Sequence, residues 1–396
     1  MIPTQNRLFQ QGICPPSLKA VSGVEAMHTR YVGSYANSSP NNMSGVVLSS
    51  TMEIRRLREA ARSLIQEGEA TLDPEFFLAS MAIGWRPKVV AVYSAGEVTG
   101  IMYAKERVIS GIPTGIVYGD GSLGGLLLSN LEHQQNTFRV AMELLLASPG
   151  IRGARLRIAR SGGEFDAICQ MIASGSLDGQ YSPIGHNDFP LWLWHAHLHL
   201  PDTYEQFLEG LGSTTRHNFR YYRRRFDASG NKFIERLPMD ELRSVALELR
   251  SKCKFTAQMP LTDFERSLDM VTATHRPLAI GLKHGDGTWL SVLGGWYIHG
   301  GAVLMFQCNR DRDFDADSLS LVLRAYLIEL LIQQGLNKLV IWGDTGPPLS
   351  RYVSYPTTIG VRLDVPTISW RLARLCMSKV GPHLPRRLAA AVRWVW

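Results

Sequence analysis

Two stretches of this 396-residue chain spell the same order of elements. In the first, short apolar strands at Val89–Tyr93, Val98–Tyr103 and Gly115–Tyr118 lead to a helical pattern over Asn136–Ala147. Pro149-Gly150 stops that helix, and a strand at Ala154–Ile158 follows. In the second, strands at Pro277–Leu282, Trp289–Tyr297 and Ala302–Cys308 lead to a helix over Ser318–Gln334. Gly335 closes it, before a strand at Leu339–Trp342. His284-Gly-Asp-Gly reads as a hairpin turn, and Gly300-Gly301 turns the chain between the next two strands. From the third strand to the strand after the helix is 37 residues in the first stretch (Val117 to Ala154) and 36 in the second (Val303 to Leu339). The letters differ, so what repeats is pattern. The expected fold class is α+β, in two lobes, each a mostly antiparallel sheet flanked by helices. An unrepeated α/β alternation is the competing explanation.

Composition supports a buried core. Hydrophobic residues make up 45% and charged residues 19%, which is not a disordered profile. The length suits two domains. Polar stretches such as Asn37-Ser-Ser-Pro-Asn-Asn-Met-Ser mark residues 1–48 as an N-terminal arm expected to be disordered. Residues 49–200 are expected to form a first, degenerate lobe, 201–365 a second lobe that carries the active cleft, and 366–396 a basic amphipathic tail. A helix is expected over Met52–Gly68, where Ile54, Leu57, Ala61 and Leu64 recur at helical spacing. The five cysteines lie far apart with no C-x-x-C pair, against zinc ribbons and a disulfide framework and in keeping with a reducing compartment. No secretory signal is visible at Met1. The most apolar run, Leu319–Ile332, is short of the roughly 20 residues of a bilayer span and is interrupted by Ser320, Arg324 and Glu329. The expected location is cytoplasmic.

The net charge is +7, but it is concentrated. The tail from Pro366 to Trp396 carries six cations and no acid. Gly212–Phe226 carries Arg216, Arg220, Arg223, Arg224 and Arg225, again with no acid. The remainder is therefore net acidic, which argues against a general polyanion surface and against DNA. Arg216, Arg220, Arg223 and Arg224 share one helix face, with Phe219, Tyr222 and Phe226 on another. That is a solvated basic face over an aromatic anchor, or an anion site for an acidic sugar, a lipid-linked phosphate or tRNA. The tail interleaves cations with apolar residues and ends in two tryptophans, which fits peripheral membrane contact or a docked helix with its cations solvated.

The meander–helix–strand order resembles that of the GNAT acyltransferase fold, and the chain looks like a tandem-GNAT protein. Leu200-Pro-Asp-Thr-Tyr-Glu-Gln-Phe-Leu-Glu-Gly-Leu, followed by Thr215-Arg-His-Asn-Phe-Arg-Tyr-Tyr-Arg-Arg-Arg-Phe, is similar to the entry of the cellulose-biosynthesis-type acetyltransferase domain. The helix Ser318–Gln334, the turn Gly335-Leu-Asn-Lys and the strand Leu339-Val-Ile-Trp-Gly-Asp344 resemble its late section, so the likeness spans about residues 201–355. The same tandem layout occurs in Fem-type aminoacyl transferases.

That resemblance implies transfer of an acyl group from acetyl- or acyl-coenzyme A to an amine or hydroxyl, on a polysaccharide or envelope precursor. The alternatives are a Fem-type transfer from charged tRNA and a non-catalytic scaffold. It implies a gap between the fourth and fifth strands, with the pyrophosphate at the head of the following helix, where unpaired N–H groups and the dipole favour anions. The cofactor-binding residues would then be Cys308, Arg310, Arg312, Ser318, Leu319 and Ser320. The stretch Asn309–Ser320 departs from the family by having no glycine and four aspartates: Asp311, Asp313, Asp315 and Asp317. Candidates for proton transfer near the strand ends are Asp344, Tyr352, Tyr355 and His299. Substrate contacts fall to Arg216, Arg220, Arg224 and Arg351. Arg351 stands where related domains carry Lys, and its role would be electrostatic.

Two further patterns point elsewhere. Gly119-Asp-Gly121-Ser-Leu-Gly124 spells G-x-G-x-x-G, but no acid ends a strand about 20 residues on, so a flexible loop or a second phosphate cradle fits better than a dinucleotide site. His195, His197 and His199 recur at period two, roughly 6–7 Å apart on one strand face. No further ligand follows at suitable spacing, and no metal is expected.

Overall fold

The computed structural model describes residues 31–33, 43–67, 70–121, 126–129, 134–159, 163–174, 178–183, 195–343, 345–346, 348–356, 358–365, 375–376, 379–380 and 383. Most of the arm and of the basic tail, the loop 122–125 and Asp344 lie outside them.

The first sheet runs β1 (Tyr31–Gly33), β2 (Met43–Leu48), β3 (Trp85–Ser94), β4 (Glu97–Ile109), β5 (Ile112–Asp120), β7 (Gly153–Ala159), β16 (Thr358–Asp364) and β8 (Asp178–Pro183), with β6 (Leu127–Ser129) against β4. All neighbours are antiparallel except β5 and β7. The arm is therefore shorter than the composition suggested, because Met43–Leu48 pairs along β3. The apolar run Val89–Val92 is buried on both faces because helices cover both. Val89 and Ala91 meet α1 (Thr51–Ala60), α2 (Arg62–Glu67) and α3 (Pro74–Ala79). Val90 and Val92 meet α4 (Gln134–Ala147) and α5 (Gly163–Ala173). The helix expected over residues 52–68 is interrupted at Ala61, yet Ile54, Leu57, Ala61 and Leu64 are all buried on one core.

The second sheet runs β10 (Lys232–Ile234), β11 (Pro277–Lys283), β12 (Trp289–Ile298), β13 (Gly301–Asn309), β14 (Lys338–Ile341), β9 (Ala196–His199) and β15 (Val353–Ser354). One face packs on α6 (Tyr204–Glu209), α7 (Ser213–Ala228) and α11 (Leu319–Gln333). The other packs on α8 (Met239–Arg250) and α9 (Leu261–Ala273). α10 (Asp311–Phe314) is a single turn leading toward α11. Thr203 and Gln206 form a reciprocal cap on α6, satisfying two donors that the helix itself leaves open.

The two sheets do not divide the chain at residue 200. β9 lies in the second sheet, between β14 and β15. β16 returns to the first sheet and pairs with both β7 and β8. An ion pair between Arg155 and Asp364 at 3.0 Å, both buried, fixes β16 on β7. The lobes also share α3. Its Phe77 packs on Tyr103 of the first lobe, ring centres 5.1 Å apart, while Phe76 packs edge-on against Trp296 of the second at 4.9 Å.

Candidate active site

A gap opens in the second sheet where β13 and β14 part. The two strands pair in parallel over four positions, Gly301 with Lys338 through Leu304 with Ile341. Trp342 N–H donates to the Leu304 carbonyl at 2.8 Å, and β13 then continues through Asn309 paired with β12 alone. A bulge sits at the point of divergence: Gly295 faces Leu304 and Gly294 faces Phe306, leaving Met305 extra. An extra residue bends and twists its strand. Gly295 permits it, since a Cβ there would lie 1.8 Å from the Val303 carbonyl oxygen.

The first lobe behaves differently at the matching place. β5 and β7 stay paired from Ile116 with Gly153 to Asp120 with Arg157, where β5 ends. The buried Arg157 guanidinium then clamps Asp120 by two bonds of 2.9 and 2.7 Å. The cradle considered at Gly119–Gly124 begins at this clamp, and Glu164, at its far side, accepts the Leu126 and Leu127 N–H groups.

The gap of the second lobe is lined by polar groups on the α11 side. Arg310 N–H donates to Leu290 on β12, so strand alternation turns the Gln307 and Asn309 N–H groups the other way, toward the gap. Gln307 Nε2 donates to Asn309 Oδ1 (3.0 Å) and to the Ser320 carbonyl (3.3 Å). Ser291 Oγ donates to Asn309 Oδ1 at 2.5 Å. Arg324, in the second turn of α11, donates through Nε to Gln307 Oε1 (3.1 Å) and through Nη1 to Thr345 Oγ1 (3.3 Å), and so bridges the two diverging strands. Behind Thr345, Gly343 N–H donates to His195 Nδ1 at 3.3 Å, and the His195 ring lies 4.4 Å from that of Trp342. Burial pushes the His195 imidazole down to about 4, with Asp120 of the first lobe opposing the shift.

The residues singled out from sequence fall into separate groups. Ser318, Leu319 and Ser320 lie at the head of α11, beside the gap. Ser318 takes φ 48, a backbone setting that glycine adopts without strain. Cys308 is on β13, but its thiol is buried against Thr256 on the α9 side and pushed up by that burial, so it does not face the gap. Arg310 is committed to Glu248 (2.6 Å) and Asp313 (3.5 Å). The Arg312 side chain and Asp344 lie outside the described residues; Gly343 and Thr345 flank the latter. Tyr355 follows β15, whose partner β9 runs beside β14.

His299 and Tyr352 are not at the gap. His299 occupies the exposed turn before Gly301, at the end of β13 opposite the divergence. Tyr352 precedes Val353, which lies level with Leu198 and thus Leu339, toward the Lys338 end. Its hydroxyl accepts the Gly212 N–H at 2.8 Å and so caps α7; that bond holds the phenol below its usual pKa. The α7 arginines are largely paired. Arg220 meets Glu205 at 2.6 Å, Arg225 meets Asp317 at 2.9 Å, and Arg223 bonds Glu329. Arg224 Nε donates to the Arg220 carbonyl, Arg216 is half-buried, and Arg351 is exposed on the turn before Tyr352. The residues that do meet in the gap, Gln307, Asn309, Arg324 and Thr345, were not selected from sequence. The signal was present as polar intruders in apolar elements: Gln307 in a buried strand and Arg324 in Leu319–Ile332.

The helix head is rich in paired charges. Asp317, just before it, is paired with Arg225, Asp313 is paired with Arg310 and Lys252, and Arg310 also meets Glu248. Arg310, expected beside the coenzyme A pyrophosphate that the resemblance implies, is therefore already paired with carboxylates.

No family model matches the sequence, and no curated protein matches it. Solved structures do share its fold. The crystal structure of FemX aligns with a TM-score of 0.56 at 11% identity, over 82% of this chain and 99% of that one. L-PGS from Bacillus licheniformis gives 0.48 at 12% identity, over 78% and 92%. A tandem GNAT protein from the clavulanic acid biosynthesis pathway gives 0.41 at 12% identity, over 82% and 99%. The likeness to FemX shows a shared fold alone, and no comparison supports the narrower cellulose-biosynthesis-type family. With two sheets, each an antiparallel meander followed by a helix and a parallel strand, the chain is an α+β protein of two lobes in the element order expected of a GNAT-like fold.

Proposed function

We propose that this protein transfers an acyl group to an amine or hydroxyl acceptor, with the gap between β13 and β14 as the site of reaction. The observation that carries this reading is the divergence of those strands after Leu304, with Gln307 and Asn309 N–H groups turned into the opening. Such groups, fixed in place, stabilise the oxygen of a tetrahedral intermediate without reorganising. The acceptor attacks the acyl carbonyl and loses its proton to a base, and the leaving group takes a proton as the intermediate collapses. Asp344 is the proposed base, since its neighbours Gly343 and Thr345 both hold positions at the gap. The acceptor class proposed is a polysaccharide or cell-envelope precursor.

Two donors are consistent with the fold. An acyl-coenzyme A would place its pantetheine in the gap, with its diphosphate outside the acidic helix head. An aminoacyl-tRNA donor is consistent with the likeness to the fold of FemX over 99% of the latter's length. Thermal unfolding with coenzyme A, acetyl-coenzyme A and bulk tRNA separates them. A ligand at 100 times its dissociation constant adds about 2.7 kcal/mol. A shift with coenzyme A supports the first donor and one with tRNA alone the second, whereas silence from all three leaves a scaffold. Once the donor is known, Asp344→Asn should cut turnover at unchanged donor affinity; full turnover removes Asp344 from the mechanism.

A further inference from the structure

Arg324 differs from the other arginines around α11. Arg223, Arg225 and Arg310 each meet a carboxylate. Arg324 does not: its two bonds go to the neutral oxygens of Gln307 and Thr345, and no carboxylate of the described residues pairs with it. The guanidinium is part-buried, and burial alone weakens its hold on its proton. A cation taken out of water without a counter-charge is unfavourable. Gln307 is itself held by Asn309 and the Ser320 carbonyl, so the guanidinium is oriented before any ligand arrives. Five N–H donors in a fixed fork match the two oxygens of a carboxylate or phosphate. Two are occupied, which leaves the rest of the fork to a ligand.

We propose that the gap in the second lobe binds a compact anion, a carboxylate or phosphate head of the substrate, against Arg324. The inference rests on the reading of this gap as the reaction site. It adds a substrate class: an acceptor or acyl group with a small negative head near the reacting carbonyl, in place of a diphosphate at the helix head. Thr345 positions the guanidinium from the β14 side and Gln307 from the β13 side.

The test is thermal unfolding of the full chain with sodium acetate and with inorganic phosphate, titrated against sodium chloride at constant ionic strength. The expected result is a saturable rise in Tm with at least one of the two beyond the chloride control. Acetate alone identifies a carboxylate head and phosphate alone a phosphate head. Arg324→Gln should weaken that binding at least tenfold, and Arg324→Lys should keep part of it. Absence of a saturable shift in the wild type, or an unchanged shift in Arg324→Gln, overturns the proposal. Should Arg324→Gln fail to fold, Thr345→Val serves instead, with several-fold weaker anion binding expected and unaltered binding counting against it. An anion response without any response to coenzyme A or tRNA would remove only the donor assignment. The reverse would remove only this inference.

Discussion

Acidification should loosen the β14 edge of the gap through a single imidazole. His195 is 5% exposed, and its Nδ1 accepts the Gly343 N–H. Burial holds its pKa at about 4, against 6.5 in an unfolded chain. The unfolded state therefore binds a proton at a pH where the folded state does not. The stability that the neutral ring contributes is complete above pH 6.5, declines as pH falls from 6.5 to about 4, and is flat below. At 1.36 kcal/mol per pH unit, the loss between pH 7.5 and 5 comes to about 2 kcal/mol. Urea unfolding at those two pH values, for the wild type and for His195→Gln, isolates this contribution, because every other titrating group is common to both. The wild type should lose about 2 kcal/mol more than the variant. Equal losses would refute the assignment of a buried neutral imidazole. Ligand affinity offers a second readout: in the folded chain Nδ1 is protonated only near pH 4, so affinity should hold from pH 7.5 to 5 and fall as pH drops through about 4, where Gly343 loses its acceptor and Thr345 and the Arg324 fork lose their backing.

Two other perturbations address the frame around the gap. Gly295→Ala places a methyl group 1.8 Å from the Val303 oxygen. It should destabilise by about 2–3 kcal/mol in urea unfolding and weaken any ligand of the gap, and a neutral substitution would show that the bulge is not fixed. Asp364→Asn leaves the buried Arg155 without its counter-charge and should cost about 3–5 kcal/mol by the same assay. A cost below about 1 kcal/mol would mean that the pair does not secure β16.

The strands and helices of both repeats were legible because they depend on neighbouring residues. Val89–Val92 reads as a covered strand from its β-branched run, and Gly335 reads as a helix stop with φ 72. The meander was legible too, since His284-Gly-Asp-Gly forces a hairpin. The partners of β9 and β16 were not. Ala196–His199 and Thr358–Asp364 each alternate as a strand should, and alternation does not state which sheet a strand joins. The gap residues were hidden for a related reason. Arg324 appeared in the sequence as a charge that spoils a membrane span, and its meaning depends on Gln307 and Thr345, which lie 17 and 21 residues away. His299 and Tyr352 were selected by proximity to strand ends, but a strand has two ends, and both fall at the one remote from the divergence.

The path of β16 affects how the molecule is made. As the chain leaves the ribosome, β7 is complete by Ala159, yet its outer edge waits for Thr358–Asp364, about 200 residues later. The whole second lobe is synthesised in the interval. During that time the first sheet exposes unpaired backbone beside apolar side chains, a surface prone to wrong pairing. A truncated chain that ends at residue 200 keeps that edge bare and takes β9 from its sheet. Dissection into separately expressed halves should therefore give insoluble material, whereas cutting the chain between β15 and β16 and supplying residues 358–364 as a peptide should restore the missing strand.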